Sequence, residues 1–235
     1  MRILLWNTNN GINKSEQINY FKSFECDLAV LPELKEHNIT TLNPTDFIWV
    51  TNNHTNPKPK GLGILTFNNY LIEPLPRDED MEIFIPLKIK AKNISFNMLA
   101  VWNFYFACKQ GRFKGVKGDN CLEWSAIRHY SQIFSDPSLI IGDWNFGPNC
   151  FEKSFFTLVN MLKPFDLKSI YHEHFKLPTS DTQHPTFITP RKNCLHIDHM
   201  FGSAFFRSNK KSFHIEDLNK SVLSDHAPLV FDLNI

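Results

Sequence analysis

Pro137-Ser138-Leu139-Ile140-Ile141-Gly142-Asp143-Trp144-Asn145 is the stretch that decides the fold. Leu139, Ile140 and Ile141 make a run of strand length, and turn chemistry follows at once in Gly142, Asp143 and Asn145. A buried strand that delivers a polar, metal-competent residue at its end recurs along the chain. Arg2-Ile3-Leu4-Leu5-Trp6 runs into Asn7-Thr8-Asn9, and Asp27-Leu28-Ala29-Val30-Leu31-Pro32 stops at Glu33. Asp198 lies inside His196-Ile197-Asp198-His199-Met200-Phe201, and Asp225-His226 precede Ala227-Pro228-Leu229-Val230. The ends of strands in one sheet converge at one edge, so polar groups far apart in sequence can share one cleft.

Outward from that stretch, the spacing of Ile18, Phe21 and Phe24 predicts a helix over 14–24, between strands at 2–6 and 27–32. Strands are expected near 46–51, 62–67, 82–90 and 93–102, with Pro- and Asn-rich joints that suit antiparallel neighbours. Helices are expected at 119–134 and 151–162, and short strands near 195–201 and 228–233. No repeat, low-complexity tract or linker interrupts the pattern. A single domain over 1–235, of class α/β with mixed sheets and flanking helices, is the economical reading. The 22 phenylalanines point to sheets packed against aromatic rings.

Composition removes several function classes. A net charge of +1 names no partner. Cys26, Cys108, Cys121, Cys150 and Cys194 are odd in number and scattered, which argues against a disulfide framework or a zinc knuckle and suits a reducing cytoplasm. The N-terminal apolar run is too short for a secretory signal, and no stretch nears the roughly 20 apolar residues of a membrane span. The expectation is a soluble cytoplasmic protein, with no membrane and no obligate protein partner.

The residue types at the strand ends suit phosphoryl transfer. Carboxylates and carboxamides are hard ligands for Mg²⁺ or Mn²⁺. A carboxylate beside a water can serve as general base, and a histidine held by a second carboxylate can donate to phosphate.

The order of these pieces resembles the endonuclease/exonuclease/phosphatase family, which includes deoxyribonuclease I and the apurinic endonucleases. The resemblance is carried by residues 4–9, 31–35 and 60–65, then by Ile141–Asn145, His196–Phe201 and Ser224–Leu229. It implies a four-layer α-β-β-α sandwich with two mixed β-sheets flanked by helices. It also implies roles: Glu33 as principal metal ligand, with Asp225 and Asn9 beside it, and Asn7 supporting metal and phosphate. Asp143 then activates or orients the attacking water, Asn145 holds phosphate and water, His226 is the catalytic histidine, and Asp198 is its partner. Whether Asp143 or His226 is the base stays open. The chain departs from the pattern at Val101-Trp102-Asn103, where many members carry His or Tyr.

Substrate contacts are expected from Trp102, Asn103 and His184, and from His196 rather than His199, since strand alternation puts His196 on the face of Asp198. His172-Glu173-His174 lacks further ligands at fixed spacing and reads as a surface or core segment rather than a zinc site. Three segments are basic loops: 109–117, holding Lys109, Arg112, Lys114 and Lys117; 207–211, holding Arg207, Lys210 and Lys211; and Lys58 with Lys60. Basic residues among aromatics suit a nucleic acid backbone with stackable bases. The expected function is a metal-dependent nuclease acting on DNA or RNA. The alternative is a phosphatase of a nucleotide, inositol phosphate or other small molecule.

Overall fold

The apolar runs form strands where alternate side chains find two apolar layers to enter. The structure is a computed structural model describing residues 1–51, 59–81, 83–91, 93–103, 111–135, 137–218 and 223–235. The first sheet opens with β1 (Arg2–Leu5), β2 (Leu28–Lys35), β3 (Asp46–Val50) and β4 (Lys60–Thr66). The second takes β5 (Leu71–Pro74), β6 (Phe84–Ala91), β7 (Ile94–Trp102), β8 (Ser138–Asp143) and β9 (Lys168–Ser169). After a ribbon of β10 (Phe187–Ile188) and β11 (Cys194–Leu195), β12 (Asp198–Gly202) completes the second sheet. Then β13 (Lys210–Ile215) and β14 (Leu229–Leu233) complete the first. Among the described residues the orders are β13-β14-β1-β2-β4-β3 and β5-β6-β7-β8-β12-β9, each mixing parallel and antiparallel pairs.

Alternation along β1 shows the layering. Ile3 and Leu5 belong to the main core between the sheets, with Leu28, Val30, Met98 and Ile141. Leu4 and Trp6 point the other way, into a second core capped by Phe21 of helix α1 (Ser15–Ser23) and by Ile39 and Leu42 of α2 (Asn38–Leu42). The far face of the second sheet is covered by α3 (Leu122–His129), through Trp124 and Ile127, and by α4 (Glu152–Leu162), through Phe155 and Leu158. Two short helices follow, α5 (Ile170–Phe175) and α6 (Ala204–Ser208). Phe206 of α6 meets Phe96 of β7 at 5.0 Å and Phe231 of β14 at 6.4 Å, so aromatic rings tie the two sheets together.

The expected helix over 119–134 is shorter: α3 stops at His129, and 3₁₀ turns flank it at 118–120 and 131–133. Tyr130 leaves helical geometry, buries its ring fully, and accepts a hydrogen bond from the Asp78 amide at 3.0 Å. The basic segment 207–211 is not a loop. It is the end of α6 and the start of the edge strand β13, where exposed lysine suits an unpaired edge. Among the described residues no helix is long and apolar enough to cross a membrane.

Candidate active site

β1 and β2 run parallel, and β14 runs antiparallel to β1 with Leu5 opposite Leu229. The residues just after β1 therefore meet those just before β14. In the second sheet β8 and β12 are antiparallel, with Asp143 opposite Asp198. Both sheets thus send their polar ends to one edge.

Close backbone packing sets that edge. A Cβ on Gly142 would lie 1.9 Å from the Val101 carbonyl oxygen, so only glycine fits beside β7 ahead of Asp143. Glu33 sits in a bulge of β2, where Leu31 pairs with Gly63 but Leu34 pairs with Gly61. Its φ of 62° is left-handed, unusual for a side chain that gains nothing locally from it. Asn9 and Asn145 share that backbone region, which asparagine tolerates better.

The side chains then form a chain of contacts. Asn7, 1% exposed, donates Nδ2–H to Asp143 Oδ2 at 3.0 Å and to Glu33 Oε1 at 3.4 Å. The Asn145 amide donates to Asp143 Oδ1 at 2.9 Å and its Nδ2 to Oδ2 at 3.3 Å. His226 Nδ1 meets Asp198 Oδ2 at 2.9 Å, both groups buried. Asp143, Asp198 and His226 each offer a ligand-type atom within 4.8 Å of the others. Burial and the Asp198 charge push the Asp143 carboxyl up to about 7, against the pull of His226 and the hydrogen bonds from Asn145 and Asn7. Burial disfavours the His226 imidazolium, but Asp198 in contact outweighs it and holds the pKa at about 9. Burial likewise raises the Asp225 carboxyl.

The structure distributes the remaining sequence candidates unevenly. Asp225 is half-buried next to His226, and its Oδ1 has no hydrogen-bond partner among the described residues. Asn9 is exposed and donates its backbone N–H to Asn7 Oδ1 at 3.0 Å. Asn103 reaches the rear of the site, donating from N to the Asp143 carbonyl at 2.8 Å and from Nδ2 to the Trp144 carbonyl at 3.1 Å. Trp102 is buried in the main core. Arg112 is bound by Asp78 and lies 3.7 Å from Asp80, over the Phe113 ring. Arg207 is bound to Asp166. Lys109 and Lys58 lie outside the described residues.

His184 stacks on Phe175, with ring centroids 4.2 Å apart. His196 does not share a strand face with Asp198, because regular pairing starts only at Asp198. The His196 amide binds Asn149 Oδ1, and its ring lies 4.3 Å from Tyr171 and 5.0 Å from His199. The two histidines thus share one aromatic pocket rather than opposite faces.

Two contributors escaped the sequence reading. Thr186, fully buried, accepts the Ile197 and Asp198 amides on Oγ1 at 3.0 and 3.1 Å, while its carbonyl takes the Ala227 amide at 2.7 Å. It therefore fixes Asp198 and the His226 segment together. Phe187 lays its ring 4.5 Å from that of His226. The His184-Pro185-Thr186-Phe187 segment had drawn attention to its histidine, yet its threonine and phenylalanine are what touch the Asp198–His226 unit. Lys60, grouped by sequence with the phosphate-binding residues, is bound to Glu33 Oε2 instead.

No protein-family model and no curated protein matches the chain in sequence. Solved structures do match in shape. The endonuclease domain of TRAS1, a telomere-specific non-LTR retrotransposon, superposes with a TM-score of 0.69 at 12% identity, over 99% of this chain and 97% of that one. An AP endonuclease from Archaeoglobus fulgidus gives 0.68 at 14% identity over the whole of both chains. The chain has the endonuclease/exonuclease/phosphatase fold. The 3'-5' exonuclease NExo from Neisseria meningitidis, at 0.63 and 16% identity over both full lengths, shares it. Identities this low establish the architecture. The expected sandwich of two mixed sheets flanked by helices is the one observed.

Proposed function

We propose that residues 1–235 form one catalytic domain, a divalent-metal-dependent phosphoesterase whose substrate is a phosphodiester of DNA or RNA. The observation that carries this reading is the continuous polar chain at the shared sheet edge: Glu33 to Asn7 to Asp143, with the Asp198–His226 pair closing against Asp143. The fold supports it, and so do its structural neighbours, among them an endonuclease domain, an AP endonuclease and a Neisseria 3' phosphatase bound to a product DNA hairpin.

The residues fit a hard divalent cation. Glu33 Oε2 already carries a cationic group, the Lys60 ammonium, and Asp225 Oδ1 is a buried oxygen without a hydrogen-bond partner among the described residues. Glu33 and Asp225, supported by Asn7, would hold Mg²⁺ or Mn²⁺, whose chemistry there is Lewis-acid polarisation of a phosphoryl oxygen. Asp143, Asp198 and His226 are read as a proton-holding network rather than a second cage, because His226 Nδ1 and Asp198 Oδ2 are committed to each other.

In that network the base and the acid separate. Asp143, with a pKa near neutrality, takes the proton of the attacking water, and Asn7 and Asn145 fix the orientation of its carboxylate. His226 is imidazolium at neutral pH, so its Nε2 donates to a phosphate oxygen or the leaving oxygen while Asp198 holds the tautomer. A cytoplasmic setting accords with the free thiols of Cys26, Cys121, Cys150 and Cys194.

The test is hydrolysis of a panel of single- and double-stranded DNA, RNA, nucleotides and inositol phosphates in Mg²⁺, Mn²⁺ or EDTA, beside Asp143→Ala. Metal-dependent polynucleotide cleavage, lost in the variant, is the expected result. Phosphate release from small molecules alone would replace the nuclease reading with a phosphatase. No turnover on any substrate would end the catalytic reading.

A further inference from the structure

Glu33 has its two carboxylate oxygens divided between opposite partners. Oε1 faces the Asn7 amide at 3.4 Å, which leads on to Asp143. Oε2 is closed by the Lys60 ammonium. The backbone builds this contact. The bulge in β2 turns Glu33 into left-handed geometry beside the first residue of β4, and Lys60 is held there by pairing with Lys35 and by the Thr51 hydroxyl, which donates to its carbonyl at 2.6 Å. Both side chains remain partly open to solvent, 34% for Lys60 and 22% for Glu33, so the pair can part without unpacking the core. Asp225 senses Glu33 and Lys60 alike, which puts all three groups at one locus.

We propose that Lys60 is the resident counter-ion of Glu33, that a divalent cation gains Glu33 by displacing the Lys60 ammonium, and that the displaced ammonium then engages the substrate phosphate. The proposal rests on the metal-dependent phosphoesterase reading. Its physical basis is charge repulsion: an ammonium and a divalent cation cannot both sit on one carboxylate oxygen. A lysine released a few ångströms from the metal carries its charge to where a phosphate would lie, as a mobile point charge suits. Lys60 is on this account a positioning residue for the metal and a binding residue for the substrate.

The test compares the full-length wild type with Lys60→Met, Lys60→Arg and Glu33→Gln, with Mn²⁺ binding followed by the electron paramagnetic resonance of free Mn²⁺. Lys60→Met is expected to bind Mn²⁺ about tenfold more tightly, the scale of losing one competing charge at a partly exposed site. Lys60→Arg should stay near wild type, and Glu33→Gln should lose the site. In steady state Lys60→Met should raise KM for the polynucleotide, so that metal and substrate affinities move in opposite directions, which structural damage would not produce. Should Lys60→Met unfold, Lys60→Gln takes its place. Unchanged or weaker Mn²⁺ binding in the neutral variant, with Glu33→Gln defective, overturns the counter-ion role and leaves the metal reading standing. Absence of Mn²⁺ binding in wild type and neutral variant alike removes the metal reading itself, and the proposal with it.

Discussion

Acidification from pH 6 to pH 5 should destabilise this protein through three histidines that lie behind the shared sheet edge. His172, His196 and His199 are 4%, 0% and 1% exposed. Carbonyl oxygens only accept, so His172 Nε2–H donates to Asp181, His196 Nδ1–H to His184 and His199 Nε2–H to Phe146. Ser169 hydroxyl serves His172 Nδ1, but a proton added at His196 Nε2 or His199 Nδ1 would meet no partner among the described residues. Burial lowers the pKa of His172 and His196 from 6.5 to about 4, and lowers His199 well below 6.5, with the His196 neighbour adding to it. Between pH 6.5 and about 4 the unfolded chain therefore binds three protons that the native state refuses, so stability falls as pH falls. Asp143 acts the other way. Its native pKa of about 7, against 3.8 unfolded, makes the native state bind one extra proton over the same interval. His226, with its pKa raised to about 9, is protonated in both states below 6.5, and its contribution is fully present there.

Among these groups the net excess is two protons in the unfolded state; the lowered His174 adds to it and the raised Asp225 opposes it. At about 1.36 kcal/mol per proton per pH unit, reduced by incomplete titration near 6.5, the loss is about 2 kcal/mol from pH 6 to pH 5. That is a large part of a typical total of about 5–15 kcal/mol. Urea unfolding followed by tryptophan fluorescence at pH 6.0, 5.5 and 5.0, in EDTA, measures it. His196→Gln removes one of the three protons and should lower the slope by about 1 kcal/mol per pH unit. Stability that is flat or rising as pH falls, or a slope unmoved by His196→Gln, would refute the reasoning.

Four further outcomes are expected. Asp198→Asn takes away the charge that keeps His226 protonated, so the alkaline limb of the pH–rate profile should move from about 9 toward neutrality, with kcat down about 100-fold. Asn7→Ala removes a hydrogen bond that lowers the Asp143 pKa, so the acid limb should shift above 7 in the same assay. Gly142→Ala would force a methyl group to within 1.9 Å of the Val101 carbonyl oxygen, and thermal unfolding should show a loss of about 3 kcal/mol or an insoluble protein. Thr186→Val leaves the buried Ile197 and Asp198 amides without their acceptor, which should cost about 2 kcal/mol or more by urea titration and depress kcat with little change in KM.

What could be read from sequence follows from what strands do to a chain. A short apolar run ending in a polar residue carries its own periodicity, so the strands preceding Asn7 and ending at Asp143 are legible, and the rule that strand ends converge brings their residues together from sequence alone. Elements that lean on tertiary partners were not visible. Lys210 and Lys211 look like a solvated loop because an edge strand needs charged side chains, and its strand neighbour is β14 on one side alone. Glu33 looked like the residue after a strand, whereas it is a bulge inside one, and the bulge is what turns it toward Lys60. The same limit explains the histidines. Alternation assigned His196 to the side of Asp198 on the assumption that the strand already ran through both. The Thr186 hydroxyl, arriving from twelve residues earlier, takes the Asp198 amide and delays regular pairing until Asp198 itself. A side chain that captures backbone amides can thus cancel a periodicity that sequence alone would extend, and here that capture sets His196 apart from the face that carries Asp198.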